Sequence, residues 1–448
     1  MIGTKIAEIE ALMDKECSCG KLHTTPVRGI FSGKGVIAQL PELLKKEYNP
    51  KKVFVLADKN TFKAAGEKVC TLLEESGIAY TKYVFDTDEQ LEPDEWTVGS
   101  AVMHFDNKCD VIIAVGSGVV NDTGKILKSM SGKPYIIVGT APSMDGYASD
   151  SSSMTRSGLK ISLYSASAYF IFGDTDILCN APEEMLKAGL GDMLAKYISI
   201  CEWKIAKLLY GEYYCEEIAS IVKSALKKCT DNADGLLKRD EKAVKAVFEG
   251  LVITGIAMCF AGISRPASGG EHYISHIWDM RKAAFGTYIN LHGIQCAVGT
   301  YVSARLYEKL LSVTPDKDKA LDFVSKFSYD ERAKILTELL GKGAKSMIDL
   351  EAKEGKFDKE KHALRLEKII DNWDVITDII KEEIPTVEFL DKLFDTVGLP
   401  KTPGEAGIDD ALLPVTVKVA GDIRDKYVLS RLLWDLGIAD EFADSLNK

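Results

Sequence analysis

Between about Arg28 and Asp176 the chain alternates short, apolar, β-branched runs with longer amphipathic stretches. The runs KVFVLA (Lys52 to Ala57), AYTKYVF (Ala79 to Phe85), DVIIAVG (Asp110 to Gly116) and PYIIVG (Pro134 to Gly139) are predicted strands. TFKAAGEKVCTLLEESG, closing on Gly77, and PDEWTVGSAVMHFDNKC, with proline and acids in its first turn, are predicted helices between them. Near-continuous apolar strands joined by helices require a sheet covered on both faces, so residues 1–178 are predicted to form a doubly wound parallel α/β domain. After Asn180 the periodicity becomes helical and stays so to Lys448. Residues 179–448 are therefore predicted to be all-α, with the active site in the cleft between the two domains.

Composition narrows the class. A net charge of -11 disfavours a protein that neutralises nucleic-acid phosphates, and no arginine-rich strip is present. The start, MIGTKIAEIEALMDKE, reads as an acidic amphipathic helix without an apolar core, and no later run reads as a membrane span. A cytoplasmic location is the expectation. The ten cysteines show no repeating spacing and read as reduced thiols. Cys17, Cys19 and His23 in CSCGKLH have metal-binding side chains. The C-x-C spacing is tight, however, and no second pair follows nearby, so this segment is read as a turn beside the first strand.

The chemistry concentrates at three places. In AVGSGVVNDTGK a strand runs into Gly116, Ser117 and Gly118 and then a helix carrying Asp122 and Lys125, which suits an anion approached by backbone N–H groups. A structural turn fits the same residues. The next strand ends in TAPSMDGYAS, Thr140 to Ser149, so two adjacent strand ends would frame one crevice. Asp145 there could hydrogen-bond a substrate hydroxyl or cap its own loop. Three of the six histidines, His272, His276 and His292, fall within GGEHYISHIWDMRKAAFGTYINLHG. Imidazoles so grouped can hold a divalent metal, with Asp192 of GLGDMLAKY as the carboxylate, and core histidines are the alternative.

Taken together, GSGVVNDTGK, TAPSMDGYAS, GLGDMLAKY followed by EW, and GGEHYISH with NLHG resemble the glycerol-1-phosphate dehydrogenases, within the iron-type alcohol dehydrogenase and dehydroquinate synthase superfamily. The bacterial AraM branch is the nearest resemblance. It implies NAD or NADP as cofactor, contacted by Gly116, Gly118, Val119, Val120, Asn121 and Asp122, by Thr140, Ala141, Pro142 and Ser143, and by Ser149, with Asp58 near the adenosine ribose. It implies Asp192, His272 and His292 as ligands of one divalent metal, with Asp145 and His276 touching a small phosphorylated three-carbon substrate. A homodimer is also implied.

Where iron-type enzymes are expected to carry another histidine, Lys196 stands, which favours zinc or nickel over iron. The glutamate expected of dehydroquinate synthases is replaced by Asp192, and Val119 stands where many relatives have serine. The predicted reaction is reduction of dihydroxyacetone phosphate to sn-glycerol 1-phosphate. The rivals are a polyol dehydrogenase acting on an unphosphorylated substrate, a lyase or cyclase, and a noncatalytic nucleotide-binding protein. Lys160, Arg156 and Arg265 are the basic residues nearest these motifs, with Lys160 the candidate for the substrate phosphate.

Overall fold

The computed structural model describes residues 1–87, 90–156 and 159–447, without the side chains of 159, 160 and 447. Its strands are β1 (Ile2–Gly3), β2 (Gly29–Gly33), β3 (Lys52–Asp58), β4 (Ala79–Phe85), β5 (Val111–Gly116), β6 (Tyr135–Gly139), β7 (Ser151–Arg156), β8 (Leu159–Tyr164) and β9 (Phe170–Asp174). Backbone packing divides the chain into two compact units, Met1–Met193 with Glu216–Ile263, and Leu194–Cys215 with Ser264–Lys448. This division differs from the single boundary expected at 178/179, because the helices Glu216–Asp231 and Glu241–Ala261 belong to the unit that contains the sheet.

The first unit holds a seven-stranded sheet in the order β1-β2-β9-β6-β5-β3-β4, with every pair parallel. Val53 to Ala57, Val111 to Val115 and Tyr135 to Val138 are fully buried, as strands covered on both faces must be. β7 and β8 form a separate antiparallel hairpin. Neither that hairpin nor β9 stands out from the sequence pattern; β9 lies centrally between β2 and β6.

From β3 the chain passes outward to the edge strand β4, whereas from β5 it moves the other way to β6. The order reverses between β3 and β5, and the carboxyl ends of strands at such a reversal are where open α/β sheets take ligands. Residue register brings those ends level: Ala57 pairs with Val115, and Gly116 with Gly139. Asp58, Gly116 and Gly139 thus open onto one edge of the sheet.

Among the described residues one helix, Glu241–Ala261, is long and apolar enough to cross a membrane by length and composition alone. Because it carries Glu241, Lys242, Lys245 and Glu249, it holds no run of about 18 uncharged apolar residues, in line with the sequence expectation. Of its most apolar window 72% is buried inside the structure. Phe248 of this helix rests on the sheet where β6 and β9 offer Gly139 and Gly173; a Cβ at Gly173 would meet the ring at 2.1 Å. Its apolar character serves the core.

The second unit is built of helices over its described residues, including Lys196–Tyr210, Gly270–Phe285 and His292–Leu310. Gly299 lets the last two approach closely, since a Cβ there would lie 2.5 Å from the carbonyl oxygen of Glu271.

Gly173→Ala is expected to destabilise the fold by about 1–3 kcal/mol, because the Phe248 ring has no room to yield in a fully buried site. A urea denaturation midpoint unchanged from that of the parent chain would contradict this packing.

Candidate active site

In the first unit, β5 delivers Gly116 directly into the helix Gly118–Ser131. A Cβ at Gly116 would lie 2.6 Å from that of Val120, so the turn closes only with glycine there. The helix start presents backbone N–H groups and the positive end of its dipole, suited to a pyrophosphate. The Ser117 and Ser143 hydroxyls lie 2.5 Å apart and join this turn to the loop after β6. The Tyr147 hydroxyl donates to the Ala141 carbonyl at 2.6 Å and holds that loop in shape.

Several predicted cofactor residues use their side chains to bind the two loops to each other. Asn121 Nδ2 donates to the Gly146 carbonyl at 3.0 Å, and an Asp122 carboxylate oxygen accepts from the Ser153 N–H at 3.0 Å. Buried Lys125 reaches Asp122 at 2.8 Å, the Ser149 hydroxyl at 3.3 Å and the Gly146 carbonyl at 3.1 Å. Asp58 caps the following turn, one carboxylate oxygen accepting from the N–H groups of Asn60 and Thr61 at 2.8 and 2.9 Å.

Asp192 is fully buried, near the end of the helix Glu183–Leu194, and accepts a hydrogen bond from the Asp145 backbone N–H at 2.9 Å. The helix comes this near to the loop because Gly189 lacks a Cβ; one built there would lie 1.7 Å from the Pro142 carbonyl oxygen. The glycine of GLGD is a contact requirement as well as a motif residue.

The second unit gathers the histidines. His272 and His276 lie on the helix Gly270–Phe285, and His292 is the first residue of the next helix, His292–Leu310. Ring centroids are 5.0 Å apart for His272 and His292, and 6.2 Å apart for His276 and each of the other two. Burial drives His272 well below the ordinary histidine range and His276 down to about 4, so both are neutral imidazoles with lone pairs available.

The orientation of His272 is set by Glu271. The same oxygen, Oε1, lies 2.7 Å from the Gly269 backbone N–H and 2.7 Å from His272 Nδ1. A backbone N–H can only donate, so Oε1 accepts there, and with no proton on Oε1 itself His272 Nδ1 donates to the same oxygen. Nε2 is left with the lone pair. Burial, then the neighbouring Glu202, pushes Glu271 up to about 8, but a proton on Oε2 would leave this argument intact.

Donor atoms of His272, His292 and Cys296 all lie within 4.8 Å of one another. Cys296 is buried one turn beyond His292, with its sulfur 3.6 Å from the Nε2 of that histidine. Sequence reasoning missed it, although the i, i+4 spacing from His292 was available as a signal. Asp192 is carried by the first unit and the two histidines by the second.

Three further sequence expectations are refined. Lys196, in place of a fourth ligand, is fully buried and donates to the Ala267 carbonyl at 3.1 Å, bracing the loop before the histidine helix. Arg265 is spent structurally: Nε and Nη2 grip Glu212 at 2.7 and 2.6 Å while Nη1 donates to the Tyr427 carbonyl. Its selection as a phosphate candidate rested on proximity in sequence alone. Arg156 is exposed at the end of β7, and the side chain of Lys160 lies outside the described residues. Positive charge that sequence reasoning overlooked is present at Arg424, whose charge bears on His276, and at Lys426, which donates to the Ser268 carbonyl at 2.7 Å.

Glu271→Gln is expected to weaken metal binding by about 10–100-fold, because the amide no longer fixes the His272 tautomer by charge. Competitive titration with a chelating dye measures this; an affinity equal to that of the parent chain would exclude the positioning role.

The sequence profile of the iron-containing alcohol dehydrogenase family matches residues 31–182. A glycerol-1-phosphate dehydrogenase [NAD(P)+] of Geobacillus thermodenitrificans is 30% identical over 417 residues, covering 92% of this chain and 93% of that one. The enzyme of the same name from Halalkalibacterium halodurans is 35% identical over 65% of this chain and 74% of its own. Among solved structures, glycerol dehydrogenase from Schizosaccharomyces pombe superposes with a TM-score of 0.59 at 17% identity, over 94% of this chain and 91% of that one. An alcohol dehydrogenase from an archaeal halo-thermophile of a Red Sea brine pool superposes with a TM-score of 0.60 at 14% identity, over 94% of this chain and 98% of that one; these two likenesses establish the fold. With the motifs, the sheet and the histidine cluster in agreement, the chain belongs to the glycerol-1-phosphate dehydrogenase family of iron-type alcohol dehydrogenases.

Proposed function

We propose that this oxidoreductase reversibly reduces dihydroxyacetone phosphate to sn-glycerol 1-phosphate with NADH or NADPH and one divalent metal. The observation that carries this reading is His272 held by Glu271 with Nε2 available and His292 beside it. The names of the relatives supply the substrate.

A bound divalent metal would polarise the C2 carbonyl and stabilise the negative charge that develops on its oxygen. His272 and His292 would hold it as neutral imidazoles, with Asp192 the carboxylate that the resemblance implies. The soft sulfur of Cys296 beside His292 favours zinc or nickel. The nicotinamide carries the hydride, so no protein nucleophile is needed.

Gly116 and Gly118, with the N–H groups of Val119 and Val120, would receive the pyrophosphate. Ala141, Pro142 and the hydroxyls of Thr140 and Ser143 would flank it. Asp58, at the neighbouring strand end, would accept from a ribose 2′-hydroxyl and repel a 2′-phosphate, favouring NAD. Asp145 would hold a substrate hydroxyl. Arg424 and Lys426 would attract the phosphate; burial, then Arg265, pushes Lys426 down to about 7, and a phosphate dianion would restore its charge.

His276 would relay a proton to the product oxygen. With its titration near 4 it is not a stored acid at neutral pH, so it would receive a proton on one nitrogen as it releases another. His276→Ala is expected to lower kcat by about 10²–10⁴-fold while metal content stays unchanged. Full activity across the pH range would eliminate the relay.

The reading as a whole is tested by stripping the protein with a chelator, restoring zinc, nickel or iron in turn, and following NADH absorbance with dihydroxyacetone phosphate. Steady NADH loss restored by zinc or nickel, with sn-glycerol 1-phosphate as product, is expected. No NADH loss, or oxidation of glycerol as fast as of glycerol 1-phosphate, would refute it.

A further inference from the structure

The segment CSCGKLH folds as a tight antiparallel turn in the first unit. Glu16 bridges to Leu22, the Gly20 N–H donates to the Cys17 carbonyl at 2.9 Å, and Gly20 takes a φ of 81° that favours glycine. The Asp14 N–H donates to the His23 carbonyl at 2.9 Å and closes the base of the turn. Cys17 and Cys19 are thus the first and third residues of one four-residue turn, with their sulfurs within 4.8 Å of each other. Both are half-buried thiols, so a small solute reaches them.

His23 is held against this pair by the helix Glu241–Ala261 of the same unit. Its ring is fully buried beside Phe260, with centroids 5.5 Å apart, and Nδ1 lies 3.2 Å from the Phe260 carbonyl oxygen. A carbonyl oxygen can only accept, so Nδ1 carries a proton. Nε2 faces Cys19, 3.5 Å from its sulfur. The contact has two forms, thiol donating to imidazole and imidazolium donating to thiolate, and in both the histidine serves as base for the Cys19 proton. Other cysteines lie in the opposite surroundings. Burial pushes the thiols of Cys70 and Cys109 up, Cys259 to about 11 and Cys229 to about 12, which keeps them protonated and inert.

We propose that Cys19 is a modification site for small hydroperoxides, with Cys17 as the resolving thiol. His23 Nε2 takes the Cys19 proton, and the thiolate attacks the terminal peroxide oxygen. The S–O bond forms as the O–O bond breaks, and His23 returns the proton to the leaving alkoxide or hydroxide. The sulfur is oxidised by two electrons to a sulfenic acid, and the peroxide is reduced to an alcohol or water. The Cys17 sulfur then attacks Cys19; the S–S bond forms, the S–O bond breaks, and hydroxide leaves with the Cys17 proton as water. An external dithiol reduces the disulfide and restores both thiols. No residue of the dehydrogenase reaction takes part.

Full-length, metal-loaded protein is treated with equimolar hydrogen peroxide at neutral pH, unfolded, alkylated and mapped by mass spectrometry. The peptide holding Cys17 and Cys19 is expected to lose two hydrogens, while Cys70 and Cys229 are recovered alkylated. In Cys17→Ser, Cys19 is expected to stop at a sulfenic acid that dimedone traps; in Cys19→Ser, Cys17 is expected to stay a thiol. His23→Asn is expected to slow oxidation of Cys19 by about 10-fold or more. No disulfide in the parent, an unchanged rate in His23→Asn, or equal rates for Cys17 and Cys19 in the two single variants would each overturn the site. Should the His23 variant not fold, the comparison of the two cysteine variants decides alone.

Discussion

Two buried carboxylates hold the start of the histidine helix, and the metal-binding geometry depends on them. Glu202 accepts from the Gly270 and Leu429 N–H groups, each at 2.8 Å, while Glu271 accepts from Gly269 and His272. Burial pushes both acids up, Glu202 to about 7 and Glu271 to about 8, and the neighbouring charge of Glu202 adds to the rise at Glu271. The backbone donors offset that cost, and the arrangement dictates the sequence around it. A Cβ at Gly269 would lie 2.4 Å from Glu202 Oε2, and one at Gly270 would lie 3.0 Å from Glu202 Oε1. The glycine pair before Glu271 exists because carboxylate oxygens occupy the space of its side chains.

Much of the fold was legible because its strands are buried on both faces. The run Ala79 to Phe85 is a strand over that same span, and the other three predicted strands are observed within a residue at either end. Alternation with helices then implied a parallel sheet. β9 escaped notice although its FIFGD core is apolar, because it follows a hairpin and not a helix, so the alternation that marked the others is missing. The division of the helices was not legible either. Apolar periodicity shows that Glu241–Ala261 is helical and buried, but Phe248 finds its partner in the glycines of β6 and β9, distant in sequence.

The candidate site divides the same way. Its glycines and histidines announce themselves by local spacing, and the structure draws His272, His276 and His292 together. What surrounds them depends on contacts that no local pattern records. Arg265 sits beside the histidine motif yet serves Glu212, whereas Arg424 and Lys426, far along the chain, bear on the histidines and their acids. Proximity in sequence was a poor guide to charge.

The central claim is that a divalent metal sits on His272 Nε2 and His292 and leaves His276 to the substrate. Anomalous-difference diffraction at the absorption edge of the metal, from crystals of the metal-loaded protein, tests it directly. The account predicts a peak about 2.0–2.1 Å from His272 Nε2 and from a ring nitrogen of His292, with His276 outside bonding distance. A peak coordinated by His276, or no peak at His272, would contradict it.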